Sequence, residues 1–179
     1  MSSRGRDLAA WVAEARAEFD RAFASAAAPP AARREGALAV MVGADRYVLR
    51  VSELNGVFVD RPVTWIPANT KAFLGVAVLG TAVLPVWDLR VLLGYPPQGR
   101  PRWLASVGGW TVALAFDAYA GHLEPDAGAF SAADPGAAAG EQVREMVAWE
   151  GTLLPVLDVE RVIRGIGSLV APGAGQKER

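Results

Sequence analysis

Residues that could carry out catalysis are sparse in this chain of 179 residues. There is one histidine, His122, and no cysteine. His122 lies in a stretch of small residues, where a solvated loop is expected, and no nucleophile or acid stands at a spacing that would pair with it. The carboxylates are scattered, and no glycine-rich turn opens a helix as phosphate binding requires. The sequence therefore predicts a protein that is not an enzyme and that holds no metal or cofactor.

Two aspartates occur in the same local sequence, once in each half of the chain. LPVWDLRVLLG begins at Leu84, LPVLDVERVIRG begins at Leu154, and Gly-Thr lies just upstream of each. Asp88 and Asp158 each follow a strand-like pattern and precede a helix-like one. This is an N-cap position, where a carboxylate accepts hydrogen bonds from backbone N–H groups. Because no acid, base or nucleophile recurs beside them, capping is the preferred interpretation over catalysis.

The first copy lies at the end of the stretch 73–94, which is apolar almost without a break as far as Trp87. Gly80 and Thr81 divide this stretch, and its valines favour extended backbone. A membrane-spanning helix needs about 20 apolar residues without such breaks. The pattern therefore predicts two short buried strands joined by a tight turn, and no direct insertion into a membrane.

The repeat predicts the fold class. From residue 37 the apolar pattern has a period of two, and a second β-rich half begins near residue 103. Two similar modules suggest two small β-barrels of one fold, since closing each sheet removes its exposed edges. We therefore expect one mainly β domain over residues 35–169, with its second module starting near 103, and a disordered tail over residues 170–179.

The first 34 residues form a separate region in this interpretation. Apolar side chains at spacings of three and four over residues 7–24 predict an amphipathic helix, and a linker rich in proline and alanine follows. Three roles stay open for the helix: it packs on the same protein, it docks a partner, or it folds only on binding.

Charge and targeting signals restrict the partners. The formal net charge is −1, so there is no electrostatic reason to expect nucleic acid or an anionic membrane surface. The N-terminus lacks the uninterrupted apolar core of a signal peptide. The expected location is the cytoplasm.

The central stretch GVAVLGTAVLPVWDLRVLLG resembles the signature of CheW-like domains, the coupling proteins of bacterial chemotaxis. The matching strand upstream contains Tyr47, and the matching strand downstream contains Asp117. Together with the closing LPVLDVERVI, the resemblance covers about residues 37–165. It marks these residues as the structural motif: Pro85, Asp88, Arg90, Asp117, Pro155 and Asp158.

The resemblance implies two SH3-like five-stranded β-barrels and no catalysis. It implies a scaffold that joins the cytoplasmic tip of methyl-accepting chemoreceptors to the regulatory domain of a CheA-type histidine kinase, in membrane-associated receptor arrays. The alternative is a structural or regulatory subunit that uses the same fold for assembly outside chemotaxis proper.

Partner-facing positions are expected on one strand and on the central hairpin. The family often has an arginine where this chain has Gly80, and a glutamate where it has Gly56, so two charged contacts are lost here. The candidate partner-binding residues are Leu54, Val57, Gly75, Val78, Leu79, Gly80 and Thr81.

Overall fold

The computed structural model describes residues 34–133 and 141–170. The amphipathic helix predicted over residues 7–24, most of the linker after it and the tail beyond residue 170 lie outside the described residues.

The described residues form twelve strands and two α-helices. The strands are β1 (Ala37–Val42), β2 (Asp45–Arg50), β3 (Leu54–Val59), β4 (Val63–Thr64), β5 (Phe73–Leu79), β6 (Ala82–Asp88), β7 (Trp103–Val107), β8 (Ala113–Phe116), β9 (Ala118–Leu123), β10 (Phe130–Ala132), β11 (Val143–Trp149) and β12 (Thr152–Leu157). The helices are α1 (Leu89–Leu92) and α2 (Val159–Val170), and two short 3-10 turns span Val51–Glu53 and Ala127–Ala129.

The strands build two six-stranded mixed sheets, so the predicted mainly β class is confirmed. The order is β10-β11-β12-β2-β1-β9 in the first sheet and β3-β7-β8-β6-β5-β4 in the second. The prediction of two five-stranded SH3-like barrels is not confirmed, because each sheet has six strands and its two end strands do not pair with each other.

The internal repeat is visible in the register of two hairpins. In the β5–β6 hairpin Val76 faces Pro85, and in the β11–β12 hairpin Met146 faces Pro155. Met146 and Pro155 each lie 70 residues after their counterparts in the first hairpin. Each hairpin also has a register shift near the start of its first strand. The two copies of the sequence motif therefore form equivalent elements.

Each sheet takes strands from both halves of the chain. β6 pairs in parallel with β8, and the equivalent β12 pairs in parallel with β2. The boundary expected near residue 103 therefore does not separate the sheets, because β7 and β8 join β3–β6 while β1 and β2 join β9–β12. Hairpins follow from local sequence, whereas these parallel pairings link distant segments and depend on tertiary packing.

The buried apolar side chains form three clusters, of which the central one joins the two sheets. The central cluster takes Leu49 from the first sheet and Phe116 from the second, both fully buried, so it lies between the sheets. A smaller cluster lies on the other face of each sheet, around Val156 and around Val86. The helix α2 covers the central cluster with one buried stripe, formed by Val159, Val162, Ile163 and Ile166.

Candidate protein interaction surfaces

The end of the β5–β6 hairpin carries an exposed apolar pair. Val78 and Val83 face each other across the two strands, and they are 61% and 65% exposed. Gly80 makes the turn with φ +62°, and Thr81 beside it is exposed. We call Val78, Gly80, Thr81 and Val83 the hairpin tip.

The second hairpin ends in a related but smaller patch. Leu153 lies 70 residues after Val83, faces Ala148 and is 62% exposed. Glu150 and Gly151 form its turn, both with positive φ. The chain thus presents one apolar hairpin end on each sheet.

Two of the hairpin residues expected to face a partner are structural instead. Gly75 has φ +126°, and a Cβ there would lie 2.1 Å from the carbonyl oxygen of Thr64. Only glycine allows β4 to approach so closely. Leu79 is 4% exposed and belongs to the cluster behind the second sheet.

Leu54 and Val57, also expected to face a partner, are half-buried and pack against the central cluster. They lie on β3, which continues through Asn55 and Gly56 although Asn-Gly is a common turn sequence. The register shifts between Leu54 and Gly56, and the side-chain amide of Asn55 donates to the carbonyl of Val107 at 3.3 Å. A β-bulge rather than a turn therefore accommodates these residues.

Asp88 occupies the N-cap position that the sequence indicates. Its Oδ1 accepts from the backbone N–H of Arg90 at 3.0 Å at the start of α1. The Arg90 guanidinium also donates two hydrogen bonds to the same carboxylate, from Nε to Oδ1 at 2.9 Å and from Nη2 to Oδ2 at 2.7 Å. Both side chains are almost fully buried, so the pair is a charged core element rather than a surface ion pair.

Arg90 also joins distant segments of the chain. Its Nη1 donates to Asp117 Oδ1 at 2.9 Å, and the other oxygen of Asp117 accepts from the backbone N–H of Gly43 at 2.7 Å. Arg90 donates further to the carbonyls of Gln98 and Gly99. The hydrogen bonds to Asp88 raise the pKa of Arg90, so its charge is fixed at every relevant pH.

The second copy of the motif keeps the cap without the buried arginine. Asp158 Oδ1 accepts from the backbone N–H of Arg161 at 2.9 Å at the start of α2. The Arg161 side chain is 61% exposed and lies 4.0 Å from the same carboxylate. Pro85 and Pro155 are both half-buried at equivalent hairpin positions.

Some of the surface residues could not be singled out from the motif alone. The exposure of Val83 and Leu153 was not predicted, although a two-residue turn after Leu79 places Val83 directly opposite Val78. The ion pair between Asp60 and Arg102 was not predicted either. Their side chains form two hydrogen bonds, of 2.7 Å and 2.5 Å, between loops that are far apart in sequence.

The residues considered for catalysis do not come together. His122 is exposed as expected, but it lies on β9 opposite Leu38 and not in a loop. Across residues 34–133 and 141–170, no three His, Asp or Glu side chains are grouped closely enough to hold a metal ion. Within the same part of the chain, no helix has the length and apolar character needed to cross a membrane.

Comparison with known proteins agrees with the motif and the fold. The profile of the CheW-like domain matches residues 36–166. Among solved structures, the chain is similar to the scaffolding protein TtCheW from Thermoanaerobacter tengcongensis, with a TM-score of 0.62 and 18% identity over 69% of this chain and 88% of that one. Comparison with curated proteins gave no match. Since the family profile spans most of the chain, this protein belongs to the CheW-like domain family.

Proposed function

We propose that this protein is a non-catalytic scaffold of bacterial chemosensory signalling that couples the cytoplasmic tip of a chemoreceptor to the regulatory domain of a CheA-type histidine kinase. The observation that carries the proposal is the exposed hairpin tip within a CheW-like fold. Val78 and Val83 are each more than half exposed although they lie next to a well-filled core. Contiguous exposed apolar side chains mark surfaces that bind other proteins.

The chemistry of the tip indicates how it binds. The turn residues Gly80 and Thr81 carry no charge, and the resemblance places Gly80 where the family often has an arginine. The contact therefore depends on apolar burial and shape and not on an ion pair. We expect the affinity for the kinase domain to change little between low and high salt, because screening acts on charged contacts. We place this coupling in the cytoplasm, at receptor arrays.

Co-purification with defined partners tests the proposal. The regulatory domain of a CheA-type kinase and the cytoplasmic fragment of a chemoreceptor, both encoded near this gene, are mixed with the full chain. We expect a complex with each partner, and one complex that contains all three. Failure to bind either partner at concentrations of tens of micromolar would remove the coupling role.

One observation favours a second candidate, a structural subunit that assembles with itself. Both sheets present an apolar hairpin end, at Val83 and at Leu153. Two different patches on one chain can join head to tail and form rings or filaments. Analytical ultracentrifugation of the isolated chain separates the two candidates, because the scaffold stays monomeric without its partners and the structural subunit forms concentration-dependent oligomers.

A further inference from the structure

A basic groove lies along β4 and the start of β5. Its walls are the segment from Arg61 to Leu74 and the loop around Arg100, and its volume is about 520 Å³. Val63 lines the groove and pairs with Ala77, which precedes the tip residue Val78 on β5. The groove and the hairpin tip are therefore neighbouring surfaces that share no residue.

The groove combines positive charge with exposed apolar side chains. Arg61, Lys71 and Arg100 line it, and no Asp or Glu lines it. Among the described residues, none of these three cations makes a salt bridge. Trp65 is 67% exposed and Ile66 is 41% exposed on the same wall.

The walls of the groove are held in place by two polar anchors. Asp60 precedes the first wall, Arg102 follows the second, and their two hydrogen bonds join the walls at one end. The buried Arg90 donates to the carbonyls of Gln98 and Gly99, and Gly99 itself lines the groove. A site with preformed walls loses little conformational entropy when a ligand binds.

We infer that this groove binds an acidic segment of a partner protein whose carboxylates face Arg61, Lys71 and Arg100 and whose apolar residue packs on Trp65. Charge complementarity carries the inference, since three cations and no carboxylate line the groove. A single nucleic acid strand fits less well, because strand binding uses several stacking aromatics and the one exposed aromatic on these walls is accompanied by aliphatic and proline side chains.

This inference goes beyond the coupling role proposed above, because the groove and the hairpin tip are formed by different residues. The peptide test below uses no kinase and no receptor, so its outcome is separate from that of the coupling role.

Fluorescence anisotropy with the full chain tests the inference. The probe is a fluorescein-labelled peptide of glutamates that contains two leucines and one phenylalanine, and the comparison peptide has lysine in place of every glutamate. We expect the acidic peptide alone to bind, and its affinity to fall with increasing salt. The double variant Lys71→Glu/Arg100→Glu is expected to weaken binding by about tenfold or more, and Trp65→Ala by about fivefold.

Arg46→Glu is the matched control, because Arg46 is exposed on β2 and does not line the groove. It changes the net charge but is expected to leave peptide affinity within about twofold. Circular dichroism melts show that each variant is folded before binding is measured. Three results would overturn the inference: no binding of the acidic peptide, equal loss of affinity in Arg46→Glu and in the groove variants, or tighter binding of an oligothymidine than of the peptide.

Discussion

At the scale of single residues, the two halves of the chain share a capping aspartate but differ in what surrounds it. Arg90 is buried against Asp88, while Glu160 stands 70 residues later and is exposed, with its partner Arg164. A buried charge that loses its partner is left without compensation, whereas an exposed one is solvated by water. We therefore expect the ion pair of the first copy to contribute more to the free energy of unfolding than that of the second copy.

Replacing Arg90 with alanine tests this difference. We expect the free energy of unfolding to fall by about 3–5 kcal/mol, because Asp88 is left buried with no charged partner. Arg161→Ala is the control, since Arg161 is exposed beside Asp158, and it is expected to cost less than about 1 kcal/mol. Urea denaturation measures both. Similar values for the two variants would show that the buried pair has no special role.

The exposed Asp60–Arg102 pair predicts a pH dependence. The hydrogen bonds from Arg102 lower the pKa of Asp60 below its ordinary value of 3.8. A carboxyl whose pKa is lower in the folded state stabilises the fold above the unfolded pKa, and this contribution is lost as the pH falls through the folded pKa. It is therefore present at neutral pH, begins to decrease near pH 4 and is lost as the pH falls further, through the folded pKa.

Asp60→Asn isolates this contribution, because asparagine also tolerates the positive φ of 53° at this position. We expect a small decrease in melting temperature at pH 7, of no more than about 3 °C, and progressive convergence with the wild-type protein as the pH falls from about 4 to 2.5. Melting temperatures measured from pH 7 to pH 2.5 check this. A difference that persists at the lowest pH would assign the effect to the backbone and not to the charge.

At the scale of elements, two glycines of one hairpin are required for different reasons. Gly75 lies against the backbone of β4 at Thr64, whereas a Cβ added at Gly80 would meet no atom within 4 Å. Gly80 needs only its positive φ, but Gly75 needs both its φ and the absence of a side chain.

Alanine at each position separates the two requirements. Gly80→Ala is expected to cost about 1–2 kcal/mol, the strain of a positive φ. Gly75→Ala is expected to cost more than about 3 kcal/mol or to prevent folding, because β4 must move away from β5. Thermal and urea unfolding of the two variants give the comparison. Equal losses would mean that β4 is not held against β5 in solution.

The sequence predicted the hairpins well because their signals are local. Alternating valines predict the strands β5 and β6, the Gly-Thr pair predicts the turn between them, and the capping aspartate predicts the start of α1. Gly56 shows the limit of local prediction. The dipeptide Asn-Gly is common in tight turns, but here it forms a β-bulge within β3. The buried face of β3 depends on the pairing of β3 with β7, and that of β5 on the pairing of β5 with β4. Neither pairing is evident from the local sequence pattern.

At the scale of the whole molecule, the repeat predicted two similar units but not how the chain is shared between them. Each half of the chain contributes strands to the sheet of the other half. β2 pairs with β12 of the second half, and β8 pairs with β6 of the first half. This exchange and the central cluster, which takes residues from both sheets, couple the two repeats. We therefore expect the described domain to unfold in one cooperative transition and not one sheet at a time.

The candidate site shows the same division between local and tertiary information. Val78, Gly80 and Thr81 are exposed at the turn, as the resemblance leads one to expect. Leu54, Val57 and Leu79 were expected to face a partner but pack on the clusters instead, since sheet pairing decides which side of a strand is covered. The basic groove joins two segments about 30 residues apart, and no single stretch of sequence marks it.

The most direct test of the scaffold role is isothermal titration of the kinase regulatory domain with the Val78→Asp/Val83→Asp variant. Aspartates on the tip place charge in an apolar contact, so we expect the affinity to fall by about a hundredfold, with the melting temperature close to that of the wild-type protein. Val59→Asp is the matched control, because Val59 is 42% exposed on β3 and lies outside the tip, and it is expected to bind as the wild type does. Unchanged affinity of the folded tip variant would contradict the account.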